Sequence, residues 1–221
     1  MKSPWIFAIV LLASAQPAFA TDAKADKAIK EFLAAYEHVQ TYNGRIAVYT
    51  NAKGKHVSSK YDLALQKPNH TMFTMVENPS LRLAEGTKVV WHGGAMVDVK
   101  TKFFGFPMKM AAKYDDSRLT GVRGDNMYDL SVAKAVEITK ASGAKFKYLR
   151  TETFLGRPMD VLEIRSPKML KGIDHEVLWL DQKLHLPFKR DMYQDGQVAY
   201  HVEVETFKFD EALPGDTFRV D

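Results

Sequence analysis

The chain has 221 residues, 46% of them hydrophobic, and a formal charge of +4 from 31 Lys and Arg against 27 Asp and Glu. That length supports one domain with a substantial core, and the charge is too mild to imply a nucleic-acid partner. There is no Cys, which excludes disulfides, a thiol nucleophile and a lipid-modified N-terminal Cys.

Lys2 is followed by an apolar run over residues 5–15 and then by Ala18-Phe19-Ala20, the layout of a secretory signal peptide cleaved after Ala20. The run is short for a membrane span and the chain turns polar at Thr21, so cleavage is expected rather than anchoring. The expected mature protein, residues 21–221, is one exported domain without linkers or repeats.

Residues 26–40 place Ile29, Phe32, Leu33, Tyr36 and Val39 at helical spacing, which predicts an amphipathic helix packed on whatever follows. Alternating runs come next, over 42–50 and 59–66, with a turn between them at 51–55. Lys67-Pro68-Asn69 breaks the second run, because proline lacks an amide donor. Short strands are expected over 72–76, 81–83, 89–91 and 96–99, punctuated by Asn78-Pro79, Glu85-Gly86 and Gly93-Gly94.

From 101 to 124 no helix or strand period is evident, although Phe103, Phe104, Phe106, Met108 and Met110 crowd around a Gly and a Pro. A helix is predicted over 128–142, and strands resume at 145–154 and 159–164. The last quarter holds three alternating runs, 177–180, 188–193 and 198–209. In the third, Val198, Tyr200, Val202 and Val204 share one face and Ala199, His201, Glu203 and Glu205 the other. Asp195-Gly196 suits a two-residue type I′ hairpin turn. The expected class is mainly β (α+β), a curled antiparallel sheet of about ten strands forming a half-open barrel with two helices covering its concave side.

Motifs for catalysis are missing. The seven His include no H-E-x-x-H and no i, i+4 pair, and there is no G-x-S-x-G elbow or phosphate-cradling Gly loop. Asp115-Asp116 near Arg118 has the charge to coordinate a cation but reads as a solvated loop run rather than as a metal site. No enzyme activity, metal or cofactor is expected.

Several landmarks, taken in order, resemble the LolA/LolB-like periplasmic lipoprotein carriers and the related outer-membrane lipoprotein-sorting proteins. They are the leader and first helix, Val39-Gln40-Thr41-Tyr42, Leu65-Gln66-Lys67-Pro68-Asn69, Gly86-Thr87-Lys88-Val89-Val90-Trp91, Leu178-Trp179-Leu180-Asp181, Leu186-Pro187, Asp195-Gly196 and Asp216-Thr217-Phe218. The resemblance implies a periplasmic, non-enzymatic half-barrel whose apolar cavity receives the acyl chains of a lipoprotein or lipid. An inner-membrane exporter and an outer-membrane acceptor would be its docking partners. It also implies that Lys67 stands where carriers often have an Arg tied to lid closure; Lys is a point charge without the planar fork of Arg. Some members of the superfamily instead report on mislocalised lipoprotein, so a sensing or protein-interaction module is the alternative function.

A lipid site is physically plain to state. An acyl chain releases roughly 0.8 kcal/mol per buried CH₂, so its contacts need only be apolar, under a cover that adjusts. Phe103, Phe104, Phe106, Met108 and Met110 are candidates for that cover, or for a lip touching membrane or partner; Met and aromatic side chains beside Gly and Pro suit a mobile surface. Phe32, Leu33, Tyr36, Trp91 and Trp179 are candidates for the cavity wall. Each of these residues would also serve as ordinary core.

Overall fold

The computed structural model describes residues 22–52, 54–78 and 85–220. In chain order the elements are helix α1 (Ala23–His38), strands β1 (Thr41–Ala52), β2 (Lys55–Gln66), β3 (His70–Glu77), β4 (Lys88–Trp91), β5 (Met96–Phe103) and β6 (Phe106–Lys113). A single 3₁₀ turn (Met127–Leu130) leads into helix α2 (Val132–Lys140), and strands β7 (Lys145–Phe154), β8 (Arg157–Arg165), β9 (His175–Asp181), β10 (Pro187–Gln194) and β11 (Gln197–Phe209) complete the chain. The strand expected over 81–83 and the leader over 1–20 lie outside the described residues.

The strands form one antiparallel sheet of eleven, ordered β6-β5-β4-β3-β2-β1-β11-β10-β9-β8-β7. Two meanders are thus joined where the first strand pairs with the last, and the sheet curls without closing. Cross-strand partners share a face, so the register defines a concave floor. Val204, Ile46, Tyr61 and Met75 make one row of it. Gly44, Leu63, Phe73, Val89, Val99 and Met110 make the next, and Leu65, Thr71, Trp91, Val97 and Ala112 a third. Gly44 occupies its place because a Cβ there would lie 2.0 Å from the Thr206 carbonyl oxygen. Directly after it the β1–β11 register slips, between Arg45 and Ile46, and such a bulge adds the bend that a curled sheet needs.

The alternation read in β11 is observed from Tyr200 to Val204; before it, a register shift between Met192 and Tyr193 sets Val198 opposite Tyr193 and leaves Ala199 buried, so Val198 does not join that face as expected. Tyr200, Val202 and Val204 are buried on the concave side, while His201 on the convex side bonds Asp191 at 2.6 Å. Asp195 and Gly196 turn the β10–β11 hairpin at φ 50° and 74°, as a type I′ turn requires. The two sheet edges are guarded differently. β6 carries Pro107, Lys109 and Lys113, and β7 carries Lys145, Lys147 and Arg150 beside a register shift, all devices that discourage pairing with another chain.

Helix α1 starts where Asp22 accepts a hydrogen bond from the Ala25 amide at 2.7 Å, an N-cap worth about 1 kcal/mol. The other oxygen of that carboxylate accepts from the Tyr148 amide of β7 at 2.7 Å, so one side chain begins the helix and fastens it to the sheet. These backbone bonds hold the Asp22 carboxyl below its ordinary value, against a smaller opposing effect of burial. Ala25, Ala28, Ile29 and Phe32 form the buried stripe. They join α2 and the concave residues of β8–β11 in the main core. A smaller cluster of Val89, Val97, Val99, Ala112 and Leu119 lies under the other meander.

Two elements differ from expectation. The predicted helix over 128–142 is split at Ser131, whose hydroxyl accepts from the Lys134 amide at 3.2 Å and caps α2; serine competes with a continuous helix by offering this bond. Residues 101–113 are regular after all, because β5 and β6 form a hairpin around Phe104-Gly105 at φ 49° and 84°. Phe106, Met108, Met110 and Ala112 do alternate with Pro107, Lys109, Ala111 and Lys113, but apolar residues on both faces and an aromatic at the turn mask the period.

Candidate functional site

The floor under β1–β4 is roofed by residues 114–131, which contain no helix or strand beyond the closing 3₁₀ turn. Side chains hold this roof at separate points. Within the roof the Tyr114 hydroxyl donates to Asn126 at 2.6 Å, and from β11 the Tyr200 hydroxyl donates to Asp125 at 2.8 Å. Arg123 donates to the Asn51 carbonyl at 2.7 Å and also to the Gln194 side-chain oxygen. At the far end Arg190 donates to the Ser131 carbonyl at 2.7 Å.

Between floor and roof lie three small cavities of about 60, 30 and 30 Å³. Phe73, at the centre of the floor, lines all three. From the roof, Leu119 and Met127 line the first and second, and Leu130 the first and third. The second also has Trp91, Val97 and Tyr114 in its wall, and the third reaches Tyr42, Leu63 and Phe207. Each holds at most a few waters, well below the ~300 Å³ at which ligand pockets begin. In this structure residues 114–131 leave the three spaces small and separate.

Asp125 is the polar fastener inside this apolar setting. Burial pushes its carboxyl above the ordinary 3.8, more than the hydrogen bond from Tyr200 pulls it down. An acid raised in the folded state binds its proton more tightly than in the unfolded chain, so stability falls as pH climbs from 3.8 through the folded value. Asp125→Asn, which keeps an oxygen for Tyr200, is therefore expected to raise the melting temperature at pH 7. The gain should shrink toward about pH 3.5, where the wild-type carboxyl is protonated and as uncharged as the amide that replaces it, and thermal melts at the two pH values check it.

The structure distributes the residues singled out from the sequence among several places. Trp91 sits in the second cavity wall, its indole N–H donating to the Gly94 carbonyl at 2.6 Å. Phe32 is fully buried in the main core, with Leu33 and Tyr36 packed partly against it. Lys67 caps the C-terminal end of α1: its ammonium donates to the Tyr36 carbonyl and, at 3.2 Å, to that of Glu37, and lies 4.2 Å from the Tyr36 ring. Burial lowers its pKa from the ordinary value. Trp179 alternates with Glu176 and Leu178 along β9, so it faces the convex side, donating to Glu152 at 2.5 Å beneath the Lys189 ammonium. Met110 packs on the smaller core cluster.

Phe103, Phe104, Phe106 and Met108 occupy the end of the β5–β6 hairpin and are 60%, 88%, 75% and 38% exposed. Phe103 faces Phe106, and Thr101 faces Met108; these pairs continue the concave rows of Val99–Met110 and Val97–Ala112 past the edge of the core. The opposite face of the hairpin carries Lys100, Lys102, Lys109 and Lys113.

Sequence reasoning did not single out Phe73, Leu119, Met127, Leu130 or the Asp125–Tyr200 fastener. Phe73 could have been found from the alternation Thr71, Phe73, Met75 in β3. Leu119, Asp125 and Met127 sit where no period exists to follow, and Leu130 falls in the first turn of the helix predicted over 128–142. Among the described residues no group of three or more His, Asp or Glu could hold a metal ion, and no helix is long and apolar enough to cross a membrane.

No protein-family model matches the sequence, and no curated protein matches it. Solved structures do. An uncharacterized conserved protein from Thermus thermophilus aligns over 89% of this chain and 93% of its own at 11% identity, with a TM-score of 0.54. MucB aligns over 90% of this chain at 12% identity with a TM-score of 0.54, and this chain spans 63% of its length. Pseudomonas aeruginosa MucB has also been solved in complex with MucA. A LolA superfamily protein from Nitrosomonas europaea aligns over 88% of this chain and 96% of its own at 14% identity, with a TM-score of 0.42. At these identities the likeness is one of fold, an unclosed antiparallel half-barrel with helices on its concave side.

Proposed function

We propose that this chain, a divergent protein of LolA-like half-barrel fold, is a non-enzymatic periplasmic carrier or chaperone. It holds the acyl chains of a lipoprotein or lipid between its concave floor and the 114–131 roof, and carries them toward the outer membrane. One observation carries the reading: three mainly apolar cavities share the Phe73 wall beneath a roof tied to the sheet by scattered side-chain bonds rather than by repetitive structure. A filled core is held by packing all round, whereas this interface is separable at a few polar points. The small closed volume fits an empty carrier, since apolar walls that meet one another lose fewer contacts than walls around a void.

Native mass spectrometry of the protein purified from its own envelope tests this. The wild type is expected to carry an added mass that organic extraction identifies as acylated. Met127→Glu, which sets a charge on the underside of the roof where Met127 is half-buried, is expected to lose at least nine-tenths of it while keeping its far-UV circular dichroism. Bare wild-type protein in repeated preparations sinks the reading. The second reading, a protein-interaction module, is favoured by the similarity to MucB, which is itself solved in complex with MucA, and recovery of a bound protein in place of lipid selects it.

A further inference from the structure

We infer that the end of the β5–β6 hairpin is a membrane-inserting finger, dipping Phe103, Phe104, Phe106 and Met108 into a lipid bilayer while its lysine face holds anionic headgroups. The first observation is the two-faced build of the hairpin. Its concave face is a mainly apolar strip that runs from the buried Val97, Val99 and Ala112 through Met110 and Met108 to Phe103 and Phe106, with Thr101 its one polar member. Its convex face presents Lys102, Lys109 and Lys113 to solvent, with Lys100 beside them. A soluble protein partner would need a matching apolar groove; a bilayer with acidic headgroups matches both faces at once, apolar below and anionic at the rim.

The second observation is the turn. Type I′ turns favour Asn, Asp or Gly because both central residues take positive φ, yet Phe104 stands at φ 49°. A bulky residue is strained there, and Phe104 is 88% exposed, so packing within the fold does not offset the strain. Among the described residues its aromatic neighbour is Phe103, edge-on at 4.5 Å between ring centroids. Asn would serve this turn without strain, whereas a bilayer gains an aromatic anchor at the tip of the hairpin; the β7–β8 turn holds Leu155 in the same way, at φ 50° and 56% exposed, but without exposed aromatic and Met residues beside it.

The third is position. Antiparallel succession puts the β5–β6 turn at the same end of the half-barrel as the β1–β2 turn, the end toward which Thr50, Val57 and Met75 line the largest of the three cavities. An acyl chain drawn from the bilayer along the hairpin would arrive over Val97 and Val89, in the wall of the second cavity. This route rests on the acyl-binding reading; insertion itself does not.

Vesicle cosedimentation tests the finger, using phosphatidylglycerol–phosphatidylethanolamine vesicles against pure phosphatidylcholine vesicles. The wild type is expected to bind the anionic vesicles at least tenfold more tightly than the neutral ones, and less so as salt is raised. Phe104→Asn should weaken binding at least tenfold while raising Tm by roughly 2 °C, because the turn loses its strain. Lys102→Glu with Lys109→Glu should remove the preference for anionic lipid. A Phe104→Trp reporter should shift to the blue on vesicles and be quenched by brominated acyl chains. No wild-type binding to either vesicle, or binding that Phe104→Asn leaves unchanged, overturns the inference, and so does a hairpin whose variants lose only a protein partner. Bound acyl mass is read separately. A protein that carries lipid but ignores vesicles refutes the finger and spares the carrier; one that binds vesicles through Phe104 but carries no lipid supports the finger alone.

Discussion

Arg190→Ala is expected to destabilise the protein by about 3–5 kcal/mol, a large part of the roughly 5–15 kcal/mol that holds a domain folded. The Arg190 and Glu176 side chains are 3% and 1% exposed. The guanidinium donates to both Glu176 oxygens, at 2.6 and 3.2 Å, and to the Ser131 carbonyl at 2.7 Å. Removing it leaves a carboxylate buried without its partner and the α2 N-cap without its anchor, and both costs fall on the same truncation. Replacing the pair together, Glu176→Leu with Arg190→Met, should recover most of the loss, since well-packed apolar side chains often equal a buried ion pair. Urea titrations of wild type, single and double variants decide it. Equal loss in the single and the double variant would place the cost in the Ser131 contact. That outcome would make Arg190 chiefly a roof fastener.

Phe32→Ala should lower stability by about 3–5 kcal/mol and leave bound acyl mass unchanged. Phe32 is 0% exposed among Ala25, Ala28 and Ile29 of α1 and the main core. The first two cavities lie instead between β1–β4 and the 114–131 roof, and the third extends to β10 and β11 without reaching Phe32. The cavity left behind would sit where α1 meets the sheet, so unfolding by urea should move to lower concentration with the slope preserved. If Phe32→Ala instead expels lipid with little change in stability, α1 lines the guest's site and the roof is ordinary core.

The pattern of these residues explains what could be read in advance. Ile46, Val48, Tyr61, Leu63, Val202 and Val204 announce their face because each strand has one buried and one solvated side, so period-two alternation is imposed by burial. The α1 stripe is legible for the same reason at a period of about 3.6. The β5–β6 hairpin obeys the strand period, yet escapes notice. Its outer half has no core to face, so Phe, Pro, Met and Ala occupy both sides, and its turn holds Phe104 where Asn or Gly is the usual signal. Lys67 is a different case: the sequence marks it beside a chain-breaking Pro68 and, by resemblance, at the place of a lid-closure Arg, and the structure makes it the cap of α1, thirty-one residues away along the chain.

From sequence alone, the chain determines its β-rich class, the amphipathic first helix, the final meander with its Asp195-Gly196 turn, and the absence of motifs for covalent or metal chemistry. These are local matters, set by side-chain period, turn stereochemistry and residue type. Tertiary structure decided the rest. That β1 pairs with β11, that Phe73 becomes the common wall of three cavities, that residues 114–131 lie across them, and that Glu176 meets Arg190 beneath Ser131 all depend on which segments cross in space. A roof without periodicity carries no signal of what it covers, because its contacts are chosen by the floor and not by its own neighbours in the chain.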